Sequence, residues 1–273
     1  MTRGLSVLSV HRIDPRNLGD MHSAPTQYFG AFEGARAVDV FEPITESDIR
    51  QSELIIVGGG GVLGHCDAQL ADLLRAVNVA APSPPIVMWG GGNGTAAVAP
   101  EYLRRFDLVG VRDYQLASGT RQWVPCASCL SPAFDVISDE VPTVDVAIYD
   151  AHQNPVERYF KTDKSIPRFV NDGNSVRLID ALRFISSARA IVTRSYHGAY
   201  WASLLGKDVI VPGPPARKYL GLREQPHYVT GMHEARVVAD SAAGTPKWLD
   251  EARHLNREFY QRVEKLRATS TLG

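Results

Sequence analysis

Three features of the sequence predict an α/β protein built on doubly wound parallel sheets in two βα-type halves. Short apolar, β-branched runs alternate with segments of helical spacing. Residues 190–212, AIVTRSYHGAYWASLLGKDVIVP, read as strand, loop, helix, strand, which is the βαβ unit of a parallel sheet. The last long segment, 246–268, carries Trp248, Leu249, Ala252, Leu255, Phe259, Val263 and Leu266 on one face with charges opposite, so it predicts a long amphipathic helix lying on a core.

The elements follow in order. Residues 5–10 form the first strand; one early arginine and a short apolar stretch do not make a signal peptide. Ser23 and Ala24 followed by Pro25 resemble a helix cap with proline in the first turn, and predict a helix over 26–32. Residues 37–41, Leu54–Val57, 86–89 and Leu108–Val111 continue the strands. Between them Asp67–Val79 places Leu70, Leu73, Leu74 and Val77 at i, i+3, i+4 and i+7, an amphipathic helix. From Cys126 to about Asp172 the pattern is less regular, with loops rich in Pro, Asp, Asn and Ser around a strand at 144–149 that opens the second half. A helix over 176–185 leads into the βαβ unit. The boundary is expected at 135–143. This gives domains 1–138 and 139–245, with 246–273 as a helix packing back across them.

The chain of 273 residues is long enough for a sizeable core. Its 29 Lys and Arg against 30 Asp and Glu leave a net charge of -1, which argues against nucleic acid and against an anionic membrane surface as general partners. No apolar run reaches the ~18–20 residues of a membrane span. Three cysteines are few and odd in number, which fits a reduced, cytoplasmic protein. The Cys126–Cys129 pair has CxxC spacing, but Pro125 before it and Pro132 after it do not open a redox helix, so it reads as buried thiols in a loop.

Parallel strands present their carboxyl ends along one edge, where ligands of open α/β sheets bind. Four polar or glycine-rich turns follow four first-half strands: Asn17-Leu18-Gly19-Asp20, Gly58-Gly59-Gly60-Gly61, Gly90-Gly91-Gly92-Asn93-Gly94 and Arg112-Asp113. Glycines let backbone N–H groups approach a ligand oxygen, although tight strand-to-helix turns use glycine in any case. Neither run has the phosphate-loop spacing. Gly59, Gly61 and Gly64 satisfy GxGxxG only nominally, because no acidic residue follows at the expected strand end. Arg112 is either a surface ion-pair or cap residue, or a fork for a carboxylate or phosphate. Arg194, Ser195 and His197 fall between a strand end and a helix start, where unpaired N–H groups and the helix dipole favour an anion. His11, near a strand end, and His65, which follows the glycine run, are further candidate histidines.

These turns occur in a familiar order. Asn17-Leu18-Gly19-Asp20, the run IIVGGGGVL at 55–63, Gly110-Val111-Arg112-Asp113, Pro132-Ala133-Phe134-Asp135 and the turn 193–198 resemble the ordered motifs of polysaccharide pyruvyl transferases. The resemblance covers about three-quarters of the chain, from Asn17 to Lys218. It implies two Rossmann-like halves of GT-B type, with the site in the cleft, and transfer of a pyruvyl group from phosphoenolpyruvate onto two hydroxyls of a sugar. The acceptor would be a sugar or lipid-linked oligosaccharide of an exopolysaccharide or cell-surface glycan precursor. A cytoplasmic enzyme without metal or cofactor is implied, compatible with peripheral membrane association and with homo-oligomers.

On this reading His197 is the general acid/base, and Arg112 and Arg194 clamp the donor's phosphate and carboxylate. Asn17, Asp20, Ser195 and Tyr196 orient donor or sugar, and Lys218 meets the phosphate. Gly19, Gly59, Gly60, Gly61, Gly91, Gly92, Asn93 and Gly198 give backbone approach. Two alternatives remain open at the level of sequence: a nucleotide-sugar glycosyltransferase of the same architecture, and a non-catalytic glycan-binding relative.

Overall fold

A computed structural model describes residues 6–92, 101–137, 141–151, 153–241 and 244–270, with Leu220 described by its backbone alone. The strands are β1 (Val7–His11), β2 (Arg36–Asp39), β3 (Leu54–Val57), β4 (Ile86–Gly91), β5 (Leu108–Val111), β6 (Arg121–Trp123), β7 (Val144–Ala151), β8 (Arg168–Asn171), β9 (Ala188–Thr193), β10 (Asp208–Pro212) and β11 (His227–Val229). They form two sheets, of order β2-β1-β3-β4-β5-β6 and β11-β10-β9-β7-β8. Every pairing between them is parallel. The helices are α1 (Leu18–Met21), α2 (Glu46–Arg50), α3 (Asp67–Val79), α4 (Leu178–Ser186), α5 (Tyr196–Leu204), α6 (Arg217–Leu220), α7 (Met232–Ser241) and α8 (Leu249–Ser270). Two parallel sheets with crossover helices and a long C-terminal helix make up the α/β, GT-B-like class that the sequence predicts.

The apolar runs are central strands buried on both faces. In β3, Ile55 and Val57 join the core that holds Leu70, Leu73, Leu74 and Val77 of α3. Leu54 and Ile56, on the alternate face, join Trp89 with Phe259 and Val263 of α8. Helix α8 buries Ala252, Asn256, Phe259 and Val263, one stripe of helical period, and the Trp89 indole N–H donates to Asn256 Oδ1 at 3.0 Å. In the second sheet one face packs Val146, Ile148, Ala190, Val192 and Ile210 against Ala235 and Ala239 of α7.

By packing, one unit comprises Met1–Ile13, His22–Ser128 and Ala252–Gly273, and the other Asp14–Met21 and Cys129–Glu251. Strands β1 to β6 all belong to the first and β7 to β11 to the second. The turn that follows β1 is counted with the second unit, because its contacts lie there.

Two local expectations are corrected. The helix expected over 26–32 is a pair of 3-10 turns, Pro25–Gln27 and Gly30–Phe32. Gly30 interrupts a segment too short to offset helix nucleation. Gly90 and Gly91 are the end of β4 rather than a turn, with a register shift against β5 between Met88 and Gly91.

Candidate functional site

In the second unit, β9 stops at Thr193 and Ser195 caps α5. Ser195 Oγ accepts from Gly198 N at 3.2 Å, and Thr193 Oγ1 accepts from Ser195 N at 2.9 Å while donating to the Tyr149 carbonyl at 2.6 Å. These bonds fix a sharp turn that presents the first turn of α5 at the carboxyl edge of the sheet. His197 lies in that turn, only 4 % exposed, with the Tyr196 ring perpendicular at 5.4 Å and Trp201 at 5.5 Å. All nine residues of α5 are buried, which explains why it lacks an amphipathic pattern.

The Asn17–Asp20 turn sits against this histidine. A Cβ on Gly19 would stand 1.9 Å from His197 Nδ1, so only glycine admits the imidazole there. Asn17 Oδ1 accepts from Gly19 N at 3.1 Å and its Nδ2 donates to Asp20 Oδ2 at 2.8 Å. Asn171, at the end of β8, grips the same turn: its Oδ1 accepts from Leu18 N at 3.0 Å and its Nδ2 donates to Asn17 Oδ1 at 3.2 Å. Sequence reasoning did not single out Asn171. The available signal was the polar turn Asn171-Asp172-Gly173-Asn174 behind Phe169 and Val170.

Arg194 and Lys218, expected to hold the donor, are tied to the backbone of their own unit. The Arg194 guanidinium is buried over the Tyr159 ring at 4.2 Å, and its Nη1 donates to the carbonyls of Pro212 and Pro214, both at 3.0 Å. Lys218 Nζ donates to the Arg194 carbonyl at 2.6 Å. Arg194 Nε and the hydroxyls of Tyr219 and Tyr228 are buried without a hydrogen-bond partner. Burial pushes both phenols up, against the pull of the Arg194 charge.

The first unit gathers the other predicted residues. Arg112 N donates to the Gly91 carbonyl at 3.1 Å, Gly92 N to the Gly60 carbonyl at 3.0 Å, and Leu63 N to the Gly92 carbonyl at 2.9 Å, so the turns after β3, β4 and β5 are stitched together. The buried Arg112 side chain crosses Gly92, where a Cβ would fall 1.8 Å from its Nε; Gly61 lies next, its Cβ position 3.6 Å from Nη2. Gly59 and Gly60 take φ of +89° and +80°, which bends the chain away from β3. Asn93 lies outside the described residues. His11 is buried beside Ser9, 3.3 Å from Nδ1 to Oγ, and burial holds its pKa below the usual 6.5. Among the described residues no group of three or more His, Cys, Asp or Glu is placed to hold a metal ion, and no helix is long and apolar enough to cross a membrane.

The sequence matches the family described as polysaccharide pyruvyl transferase over residues 27–211, about two thirds of the chain. No curated protein matches it by sequence. Among solved structures it is similar to UDP-GlcNAc 2-epimerase from Neisseria meningitidis bound to UDP-GlcNAc, with 11 % identity and a TM-score of 0.54 over 96 % of this chain and 100 % of that one. An uncharacterized protein from Klebsiella pneumoniae aligns at 14 % identity and a TM-score of 0.47, over 83 % and 93 %. The lipopolysaccharide ADP-heptose heptosyltransferase II of E. coli gives 12 % and 0.36, over 94 % and 100 %. At these identities the likeness to the epimerase concerns the fold alone.

Proposed function

Because the chain belongs to the polysaccharide pyruvyl transferase family, we propose that it moves the pyruvyl group of phosphoenolpyruvate onto two hydroxyls of one sugar in a polysaccharide or cell-surface glycan precursor. In this reaction the donor's methylene carbon takes a proton and becomes methyl. Its C2 accepts the two sugar oxygens, and the bond from C2 to the phosphate oxygen breaks. The two hydroxyls release two protons, one matched by the new methyl and one carried off by phosphate.

The observation that carries this reading is the buried His197 in the first turn of α5, with the Gly19 backbone laid against its ring. An imidazole can both give and take a proton near neutrality, which this chemistry needs. The helix start beside it favours the donor's carboxylate or phosphate. Ser195, Tyr196, Asn17 and Asp20 belong to the two turns around that ring and are assigned to orienting donor or sugar. Arg112 supplies a guanidinium that suits a forked grip on an oxyanion. Arg194 and Lys218 are assigned to positioning, since their hydrogen bonds hold the loop after β10 to the turn that carries His197.

The test combines the purified chain with phosphoenolpyruvate and a panel of sugar acceptors, following phosphate release and the ketal methyl signal by NMR. His197→Gln is expected to lower kcat by about 10²-fold or more while donor affinity stays within a few-fold. Absence of phosphate release with every acceptor, together with thermal stabilisation by nucleotide sugars but not by phosphoenolpyruvate, would overturn the reading in favour of a glycosyltransferase.

A further inference from the structure

Beyond the predicted site, the carboxyl edge of the first sheet carries an exposed aromatic platform. Phe41 lies just past β2 and remains 44 % exposed. The ring is held by its surroundings: the Arg12 guanidinium lies over it at 5.2 Å and the His65 ring stands perpendicular at 5.9 Å. Its backbone is pinned too. Asp39 Oδ1 accepts from Phe41 N at 2.8 Å, and Oδ2 accepts from Ile13 N and Arg12 Nη1, both at 2.6 Å. The platform is therefore ordered before anything binds, which lowers the entropic cost of a ligand.

Phe41 lines a groove of about 450 Å³ between the loop after β2 and α3, within the range of small-ligand sites. Its apolar lining includes the buried Leu73, the half-buried Ile44 and the exposed Pro43, and its polar lining Glu42, Gln69 and Asp72. A pyranose has an apolar C–H face and a polar edge of hydroxyls, and this groove offers a partner for each. The charges around it are met in pairs, Asp72 with Arg75 and Arg12 with Asp39, which leaves Glu42 at the rim; a site with no surplus cation favours a neutral saccharide over an anionic one.

Position adds a second constraint. β2 and β5 are four places apart in the order β2-β1-β3-β4-β5, so Phe41 and Arg112 stand roughly 19 Å apart along the same edge, at about 4.8 Å per strand. That separation exceeds one sugar and spans several. We propose that the Phe41 groove is a distal subsite for neutral pyranose units of an oligosaccharide acceptor. The proposal rests on the transferase reading for the word acceptor, but not for binding itself.

The test therefore measures binding without donor. Unsubstituted gluco- and galacto-oligosaccharides of one to six units are titrated onto the full chain by calorimetry and saturation-transfer NMR. Affinity is expected to rise with length in at least one ladder. Phe41→Ala should weaken the longer members by about tenfold, the scale of one aromatic contact, and Phe41→Trp should retain them. In turnover, Phe41→Ala should raise KM for a long acceptor while leaving KM for phosphoenolpyruvate unchanged. Absence of length-dependent binding, or equal affinity in Phe41→Ala with an unchanged melting temperature, overturns the subsite. So does a Phe41→Ala chain that sediments at lower mass than the wild type yet binds saccharide as before, since the groove would then join two copies. If saccharide binds as expected but no ketal forms, the transferase reading fails and the subsite stands.

Discussion

A single hydrogen atom at position 19 separates the Asn17–Asp20 turn from collision with His197. A methyl there would reach Nδ1 at 1.9 Å, and the ring is walled by Tyr196 and Trp201, so the turn rather than the imidazole must give. Gly19→Ala is expected to reduce kcat by about 10²-fold, the cost of an ångström's misplacement at a reacting group, with a melting temperature within a few degrees of wild type. A loss confined to KM would contradict it. Gly19 and His197 were both visible in the sequence as site candidates, but only the family resemblance put them in one site and no pattern predicted their direct contact, because 178 positions separate them along the chain. Arg194 illustrates the converse: its residue type suggested an anion clamp, while its surroundings of carbonyls and tyrosine rings show what one guanidinium can do for a loop.

Among the elements, those with long apolar periodicity were legible. The spacing that predicted Asp67–Val79 matches α3 to the residue, and the terminal amphipathic segment is α8, at Leu249–Ser270. Three edge strands were not legible. β6, β8 and β11 have three or four residues each and carry Arg121, Gln122, Arg168, Asn171 and His227, so no apolar run marks them. Edge strands pair on one side and tolerate polar residues, which hides them from pattern reading. Helix α8 also holds one polar residue on its buried stripe. Asn256 accepts from the Trp89 indole and donates to the carbonyls of Pro125 and Ala252 at 3.1 and 3.0 Å. Asn256→Leu strands the indole N–H and the Pro125 carbonyl in the core, and is expected to destabilise the chain by about 2–4 kcal/mol in urea unfolding. A cost below 0.5 kcal/mol would show that these groups find other partners.

At the scale of the whole molecule, stability should depend on acid through buried histidines. Burial lowers the pKa of His11 below the usual 6.5, with Ser9 and the Asp39 charge opposing. The unfolded chain therefore binds the proton more tightly, and stability falls as pH drops from about 6.5 toward the folded value and no further below it. His22 is shifted the same way by burial. His11→Asn is expected to flatten, without abolishing, the loss of melting temperature between pH 7 and pH 5; a slope unchanged from wild type would count against this account. By itself the sequence determined the α/β class, the parallel order of strand and helix, the glycine turn after β3 and the family, because these depend on local periodicity and on short motifs in fixed order. Only the tertiary structure decided that the turn after β1 packs with the second unit rather than the first, that Asn171 grips it, and that Arg194 faces carbonyls. Those outcomes come from contacts between residues remote in the chain, where close packing and unmet hydrogen-bonding groups, rather than propensity, choose the partner.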